Sequence, residues 1–301
     1  MINPNHFDLQ SLRIFLLVAQ TGSLTKATDK THMTLSALSK RIAELERVVD
    51  CPLFLRMPRG LELTSAGQQL AQHARSVLDT VNRMAGEMED FAIGVRGHVR
   101  IWANTSAIIQ FLPYDLAAFL REQPLIRIGL EEKLSDQIVN AVITGEADLG
   151  IFADNVPTRG LEKFLYRRDK LVLLMRADHP LASLPELHFA EALDYDFVGL
   201  NQGSSLLQRL IDASLVHDKP LRLRIQVSSF DGIFCMIEAG LGIGVLPDGA
   251  VRPEMLSAGL RAIPLRDAWA SRTLWLGVKS EPALLPEAGK LLTHLRKAGS
   301  D

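Results

Sequence analysis

The pattern of apolar and polar positions in residues 23–50 predicts two short helices joined by a tight turn. Ser23 and Thr34 stand where a hydroxyl can cap the free amides of a helix, and polar residues 30–32 separate the two helix starts. From the second start, apolar residues recur at intervals of three and four, at Leu35, Leu38, Ile42, Leu45 and Val49. That spacing places them on one stripe of the second helix.

The opposite face of this second helix is small, hydroxylic and cationic. It carries Ser36, Ser39, Lys40, Ala43 and Arg47. Small side chains let a helix approach the base edges of DNA, and cations just behind them can hold phosphates. An ordinary amphipathic surface helix has the same pattern, so this stretch alone leaves both interpretations open.

The flanking segments extend the helix pair toward a winged helix-turn-helix. Residues 9–20 predict an apolar helix that ends at Thr21 and Gly22. After the pair, residues 53–55 and 61–63 predict two short strands around a tip that carries Arg56 and Arg59. A basic wing tip typically grips phosphate, and a solvated surface turn is the alternative.

A long helix is predicted from a cap at Thr64 to about residue 93, without an internal proline. Its apolar and small residues follow steps of four and three from Ala66 to Phe91, the spacing of a coiled-coil seam. Such a stripe can pack on its own domain, but its position between two domains favours dimerisation. The predicted dimerisation residues are Leu70, Ala74, Val77, Val81, Met84 and Met88.

Beyond Gly97 the pattern changes to alternating strands and helices. Strands are predicted at 99–103, 126–131, 149–152, 171–175, 197–199, 223–227, 242–246 and 274–278, and helices at 108–123, 135–144, 204–216, 230–238 and after Glu281. The pattern weakens after Leu161. This order predicts a parallel sheet with helices on its faces, and the last strand and helix are expected to return to the first part of the domain.

A ligand in an open α/β sheet sits beyond the carboxyl ends of the strands. That rule selects Asn104, Thr105, Ser106, Phe152, Ala153, Gln202, Gly203, Ser204, Ser228, Ser229 and Phe230 as the effector-binding candidates. Each serine alone is explained by an ordinary helix cap, but their joint placement favours a small-molecule site. A lining of neutral hydroxyls is compatible with a small carboxylate held by backbone amides; no other cofactor is predicted, and the ligand's identity stays open.

Composition and charge narrow the class of protein. The 301 residues, 47% of them apolar and 23% charged, suit a soluble globular chain of two domains. Residues 1–65 hold eight Lys and Arg against six Asp and Glu, a local charge of +2 in a chain of net charge -2, so the remainder carries -4. This asymmetry permits DNA binding without requiring it.

Cysteine content and hydropathy bear on the compartment. Cys51 and Cys235 are too far apart to suggest a disulfide framework or a zinc site, and they fit a reducing cytoplasm. The apolar run at residues 14–19 is far shorter than the roughly 20 residues that span a bilayer, so no membrane association is expected.

Signatures of enzymatic chemistry are weak. Gly240, Gly242 and Gly244 precede a strand, whereas a dinucleotide-binding loop follows one. The chain has no G-x-S-x-G motif, and its eight histidines lack metal-ligand spacing, so no catalytic or metal site is predicted. His32, beside the groove helix, is the one candidate for pH-sensitive DNA binding.

Several motifs together resemble those of the LysR-type transcriptional regulators. The N-terminal part contains LQSLRIFLLVAQTGSLTKAT, TLSALSKRIAELE, PLFLR and LELTSAG in the family's order, and the C-terminal part contains GHVRI, GEADLGI, HPLA and AGLGIGVLP. The resemblance covers the whole chain. It implies an inducer or coinducer site, matched here by Thr105, Ser106 and Ser204.

The chain departs from the family pattern at the start of its groove helix. The family often has a glutamine followed by proline or serine there, and this chain has Leu35 and Ser36. Leu35 can touch a thymine methyl or pack inside the protein, and its phase on the apolar stripe favours packing. Direct readout then moves to Ser36, Ser39 and Lys40, with Arg41 as a flanking candidate. The full set of predicted DNA-binding residues is Ser23, Thr25, Thr34, Leu35, Ser36, Ser39, Lys40, Arg41, Arg56 and Arg59.

These observations predict an α+β multidomain protein. Its parts are a winged helix-turn-helix at 1–65, a linker and dimerisation helix at 66–95, and an effector domain at 96–301, for which the resemblance implies a two-lobed, periplasmic-binding-protein-like fold. Lobe 1 is expected at about 96–165 and 270–301, and lobe 2 at about 166–269. The implied function is a cytoplasmic, effector-controlled transcriptional regulator.

The expected partners are double-stranded operator DNA, a second copy of the chain as homodimer or homotetramer, a small-molecule effector, and RNA polymerase as the resemblance implies. An α/β enzyme and a non-specific architectural DNA protein are the competing hypotheses. An enzyme would turn over a substrate without shifting DNA, and an architectural protein would bind all sequences alike.

Overall fold

The computed structural model describes residues 3, 6–31, 33–58, 60–92 and 97–299. The candidates Arg59 and His32 lie outside the described residues. The chain divides into two compact units, Met1–Ile93 and Gly94–Asp301.

Helices α1 (Leu9–Thr21), α2 (Leu24–Thr28) and α3 (Leu35–Val49) open the first unit. Side chains of Asp8, Ser23 and Thr34 accept hydrogen bonds from the first-turn amides of these helices, which confirms the two predicted hydroxyl caps. Gly22 ends α1 in the left-handed conformation, at φ 61°. Phe15, Val18, Leu38 and Leu45 form part of the core that joins the helices.

Strands β1 (Phe54–Met57) and β2 (Gly60–Leu63) pair as an antiparallel hairpin, the predicted wing. The Leu61 amide donates to the Gly22 carbonyl at 2.8 Å, so the wing is tied to the end of α1. Gly60 allows this approach, since a Cβ at that position would stand 2.4 Å from the Gly22 oxygen.

Helix α4 (Ser65–Ala92) begins after Thr64, whose hydroxyl accepts from the Gly67 amide at 2.9 Å. Its predicted seam divides into two parts. Ala74 is buried in the first unit's core and Leu70 packs against that core, because α1 covers the first half of α4. Ala74 therefore belongs to the core of its own unit, contrary to the prediction that it faces a partner, whereas Leu70 is half-buried and its contact with a partner stays a prediction.

The second half of the seam has no such cover within the described residues. Val77, Met84 and Met88 are exposed, and Val81 is half-buried. These four residues are called the α4 stripe below.

The second unit starts with an α/β segment. It contains β3 (Gly97–Ala103), α5 (Thr105–Gln110), α6 (Leu112–Glu122), β4 (Ile126–Glu132), α7 (Ser135–Thr144) and β5 (Leu149–Ala153). The prediction of one helix over 108–123 is wrong, because Phe111 leaves the helical conformation and Pro113 is accommodated in the first turn of α6.

The remaining elements are β6 (Glu162–Arg176), α8 (Phe189–Ala192), β7 (Phe197–Leu200), α9 (Ser205–Leu215), β8 (Leu223–Val227), α10 (Phe230–Glu238), β9 (Gly244–Pro247), α11 (Pro253–Ser257), β10 (Leu260–Pro264), β11 (Ser271–Val278) and α12 (Pro286–Ala298). Sequence reasoning found only the second half of β6. The first half is rich in charged residues, and it is a strand because β11 pairs with it from Glu162 to Lys170.

The main sheet is mixed rather than wholly parallel as predicted. Its order is β10-β6-β11-β5-β3-β4, with β9 also on β6; β3, β4 and β5 are parallel, whereas β6 and β11 run antiparallel to their neighbours. Strand β6 is long enough to pair with β11 in its first half and with β9 and β10 in its second. It thereby joins two lobes with separate hydrophobic cores, one around β3 and β5 and one around β7, α9 and α10.

No helix among the described residues is long and apolar enough to cross a membrane.

Candidate functional site

The solvent-facing side of α3 has the composition expected for a groove helix. Ser36, Ser39 and Lys40 are exposed, while Leu38 is buried on the opposite side. The Thr34 hydroxyl accepts from the Ala37 amide at 3.3 Å and lies 3.1 Å from the Ser36 hydroxyl. Cap and first-turn hydroxyls therefore form one polar edge at the start of the helix.

Leu35 does not follow its phase on the apolar stripe. It is 49% exposed, so the prediction that it packs inside the protein is wrong. Helical side chains lean toward the N-terminus, and in the first turn this carries Leu35 past the end of the core. An exposed leucine beside Ser36 offers a methyl surface to a base rather than a hydrogen bond.

Lys40 and Arg41 are adjacent in sequence but differ in surroundings. The Lys40 side chain is 78% exposed, with Glu44 one turn away at 4.0 Å. The Arg41 guanidinium instead donates to acceptors around the start of α1, at 3.0 Å to Gln10 Oε1, 3.1 Å to Ser11 Oγ and 3.4 Å to Asp8 Oδ1. Arg41 thus fastens α3 to α1, a role that its position in the sequence did not suggest.

The Asp8 carboxylate also caps α1. The hydrogen bonds from the Ser11 hydroxyl, at 2.6 Å, and from the Ser11 amide, at 2.8 Å, hold the pKa of Asp8 below its usual value, and the nearby Arg41 guanidinium adds to this effect.

The wing is fastened to α3 by a side chain that sequence reasoning did not select. Glu46 Oε1 accepts from the backbone amides of Leu53 and Phe54, at 2.8 and 3.3 Å. Arg56 is exposed on β1, as expected for a phosphate contact. Ser23 uses its hydroxyl to cap α2, at 3.4 Å from the Lys26 amide, and Thr25 is exposed on that helix.

A small cleft in the second unit gathers strand ends from both lobes. Its lining residues are Asn104, Thr105, Ser106, Lys133, Leu134, Ser135, Leu200, Ser204, Ser205 and Leu206. Its enclosed space is about 20 Å³, enough for about one water molecule.

The polar side chains on the lobe 1 side of the cleft differ in their hydrogen-bond partners. Asn104 caps α5 through a bond from the Ala107 amide at 3.0 Å, and Thr105 donates to Glu132 at 2.5 Å. Ser106 accepts from Arg272 Nη2 at 3.2 Å. Behind it, the buried Arg272 pairs with Asp169, and Gln110 Nε2 donates to the same carboxylate at 3.0 Å.

On the lobe 2 side, Ser204 precedes α9 without capping it through its side chain. Gln202 and Gly203 are exposed beside it. Gly203 lies against lobe 1, since a Cβ there would stand 2.8 Å from Leu134 Cδ1, and its φ of 86° also favours glycine.

The other effector candidates do not line this cleft. Phe152 is buried among α7 and sheet residues, and Phe230 is buried in the lobe 2 core. Ala153 is also buried, and its amide donates to Ser135 Oγ at 3.2 Å. Ser229 caps α10, and Ser228 is exposed next to it. A position at the end of a strand places a residue near the cleft. Because successive side chains of a strand point to opposite faces of the sheet, its side chain can still point into a core instead of the cleft.

Contacts across the two lobes adjoin the cleft. Arg209 of α9 forms an ion pair with Asp154, which follows β5, and it donates to the Trp269 carbonyl at 3.2 Å. The Asn155 side-chain amide donates to the Ser205 carbonyl at 2.8 Å. These contacts hold the lobes together in the narrow arrangement of the cleft.

Sequence reasoning missed Lys133, Leu134 and Ser135, which the same strand-end rule selects after β4. It also missed Arg272 and Asp169, because only the pairing of β11 with β6 places them together behind Ser106. Among the described residues, no group of three or more His, Cys, Asp and Glu side chains could hold a metal ion.

Two family models match this arrangement of units. The bacterial regulatory helix-turn-helix protein model of the lysR family matches residues 9–68, and the LysR substrate binding domain model matches residues 92–300. The chain belongs to the LysR family. It is a LysR-type DNA-binding transcriptional regulator with an effector-binding domain, and its named relatives are regulators rather than enzymes.

Similar proteins extend over nearly the whole chain. YbhD of Escherichia coli K12, named an uncharacterized HTH-type transcriptional regulator, is 28% identical over 296 residues, which is 98% of this chain and 92% of that protein. A probable RuBisCO transcriptional regulator of Nostoc sp. PCC 7120 is 25% identical, over 90% of this chain and 82% of that protein.

Solved structures show the same fold. Full-length CbnR complexed with its target DNA matches with a TM-score of 0.80 at 18% identity, over 97% of this chain and 100% of that one. The Synechocystis PCC6803 CcmR regulatory domain, in complex with 2-PG, matches with a TM-score of 0.63 at 23% identity, over 68% of this chain and 99% of that one.

Proposed function

We propose that this LysR-family regulator binds an interrupted palindromic operator in the cytoplasm as a homodimer or a dimer of dimers. Each half-site takes one α3 helix and one wing, and RNA polymerase is the further partner. In this proposal residues 1–65 bind DNA, residues 66–95 dimerise and residues 96–301 bind the effector, with lobe 1 at about 96–165 and 270–301 and lobe 2 at about 166–269.

The observation that carries the DNA contact is the exposed face of α3. Ser36, Ser39 and Lys40 protrude from a helix whose other side is locked into the core. Leu35 adds an apolar contact at the leading end, and we assign to it the preference for a thymine methyl. Arg41 is assigned to helix placement, because three acceptors around α1 already occupy its guanidinium.

Dimerisation is assigned to the α4 stripe. Its exposed apolar residues follow a heptad-like spacing along a helix of 28 residues, or roughly 40 Å. A symmetric pair of such helices supplies two groove helices, which operators with half-sites one DNA turn apart require.

The effector is assigned to the cleft between the lobes. Ser106 and Ser204 approach it from opposite sides, and the complex of CcmR with 2-PG supports a small molecule as the ligand of this fold. Binding of such a molecule biases the lobe angle, and a coupling of about 1 to 3 kcal/mol is enough to redistribute regulator assemblies on DNA.

Sequencing of genomic DNA fragments captured by the purified protein locates the operator, and fluorescence anisotropy then measures affinity for it and for a scrambled duplex. We expect a preference of roughly a thousandfold or more. Equal affinity for both duplexes would favour the architectural alternative and contradict the proposal. The double variant Ser36→Ala with Ser39→Ala should lose much of the preference, whereas Ser76→Ala, an exposed serine of α4, should keep it.

A further inference from the structure

The Ser106 hydroxyl at the cleft is held by a buried ion pair. Arg272 is only 2% exposed and lies opposite Asp169 in the pairing of β11 with β6. Its Nε donates to Asp169 Oδ1 at 2.8 Å, and its Nη2 contacts both Asp169 Oδ2 and Ser106 Oγ. The hydrogen-bond roles in this group follow from its chemistry.

A guanidinium has only donors, so Ser106 Oγ must accept from Arg272. The hydroxyl hydrogen must then find its acceptor elsewhere, and none of the described residues provides one. Ser106 is 5% exposed and lines the cleft, so its hydrogen can be accepted by a water molecule or by a ligand that replaces that water. A buried hydroxyl with an unmet donor favours a ligand that meets it.

We propose that Arg272, held by Asp169, is a positioning residue that makes the Ser106 hydroxyl a donor to the effector, which presents a carboxylate or similar oxyanion there. This inference rests on the proposed effector site. It adds to that site the hydrogen-bond polarity, that is, which groups donate and which accept, and it names the residues that set these roles.

Further hydrogen bonds hold the Arg272–Asp169 ion pair in place beside Ser106. Asp169 accepts from Arg272 through both oxygens and also from Gln110 Nε2 at 3.0 Å. Gln110 in turn bonds the Ser106 carbonyl at 3.1 Å. The carboxylate, the guanidinium and the first turn of α5 therefore fix one another, as a preorganised ligand contact requires.

Ser204 supplies a matching donor from lobe 2. It is 8% exposed, and its hydroxyl makes no hydrogen bond with the described residues. It also leaves the first-turn amides of the eleven-residue α9 without a side-chain cap. Two facing hydroxyls and these amides suit a ligand with at least two acceptor atoms.

Charged side chains at the rim of the cleft do not account for a preference for an oxyanion. Lys133 is balanced by Glu131 at 3.1 Å, and Glu132 accepts from Thr105 at 2.5 Å. Selection of an oxyanion therefore comes from the arrangement of donors, and donor-based selection distinguishes a carboxylate from a neutral molecule of the same shape.

Acetate and acetamide are such a pair, and saturation-transfer NMR on the full-length protein measures weak binding of both. We expect acetate to bind about tenfold more tightly than acetamide, because a charge-assisted hydrogen bond is about twice as strong as a neutral one. Ser106→Ala should weaken acetate binding about tenfold. Ser257→Ala, which alters an exposed serine of α11 outside the cleft lining, should leave it unchanged.

The role of Arg272 is tested by the ratio of the two affinities, which a purely structural role would not change. The double variant Arg272→Met with Asp169→Leu removes the pair together, which avoids leaving one buried charge unpaired. Ser106 is then free to accept as well as donate, and the ratio should fall toward one. Arg272→Lys should retain the ratio, since an ammonium also has only donors.

Equal binding of the two probes by the unaltered protein would overturn the inference. So would an unchanged ratio in the double variant, or no saturable acetate binding up to about 100 mM, a free energy near -1.4 kcal/mol. Operator anisotropy on the same preparations separates the two proposals. Intact sequence-specific DNA binding with failed probe binding overturns only this inference, whereas loss of operator preference in the unaltered protein overturns the proposed function.

Discussion

Replacing Lys40 by alanine separates DNA contact from folding. The side chain is 78% exposed, and its Glu44 partner at 4.0 Å is also exposed. An exposed ion pair one turn apart on a helix contributes about 0.3 to 0.5 kcal/mol, so Lys40→Ala should barely change the free energy of unfolding. Its effect on operator affinity should be much larger.

The expected magnitude follows from counterion release. Each phosphate contact adds about 0.9 to the slope of log affinity against log salt concentration, so two Lys40 copies in a dimer add about 1.8. The loss of operator affinity caused by Lys40→Ala should therefore be about tenfold larger at 50 mM salt than at 200 mM salt. Anisotropy titrations of the operator at four salt concentrations measure both slopes.

Arg41→Ala is the matched comparison. This arginine is occupied by Gln10, Ser11 and Asp8, so its loss should lower the free energy of unfolding by about 1 kcal/mol while leaving the salt slope unchanged. Glu44→Ala controls for loss of the ion pair and should not weaken binding. A wild-type slope in Lys40→Ala, or a reduced slope in Arg41→Ala, would refute the assignment of these two cations.

Three further outcomes follow from packing and charge. The double variant Val77→Asp with Met84→Asp places charges on the α4 stripe and should dissociate dimers in sedimentation velocity; dimers that persist would exclude the stripe as the interface. Leu38→Ala opens the core beneath the groove helix and should cost about 2 to 5 kcal/mol in urea unfolding of the first unit, and a cost below about 1 kcal/mol would contradict that packing. Asp154→Ala leaves Arg209 without its carboxylate and should destabilise the second unit by about 2 kcal/mol, while Asp178→Ala, in a fully exposed ion pair, should leave its stability nearly unchanged; equal effects of the two variants would show that the Arg209–Asp154 pair does not stabilise the contact between the lobes.

Local patterns in the sequence determined most secondary structure. The caps at Ser23, Thr34 and Thr64, the wing and helix 135–144 all follow from residues within a few positions of one another. Hydroxyl capping and apolar periodicity depend on residues within about one helical turn, so both can be recognised in the sequence alone. The motifs that resemble the LysR family added the two-unit organisation, which the family models confirm.

Contacts between distant segments decided the rest. Ala74 carries the same seam spacing as Met84, and only the placement of α1 makes it a core residue. The first half of β6 is charged and looks like a loop, but β11 supplies its hydrogen-bond partners from more than 100 residues away. Spacing describes one element at a time, whereas burial depends on which other element covers it.

The site shows the same division. Strand-end position selected Thr105, Ser106 and Ser204, which line the cleft, but it selected Phe152 and Phe230 equally, and their side chains are enclosed by the cores. Arg272 and Asp169 carry no local signal, because they lie on strands far apart in the chain. Only the tertiary structure brings their charges behind Ser106, and hydrogen-bond polarity is set by such neighbours rather than by the serine itself.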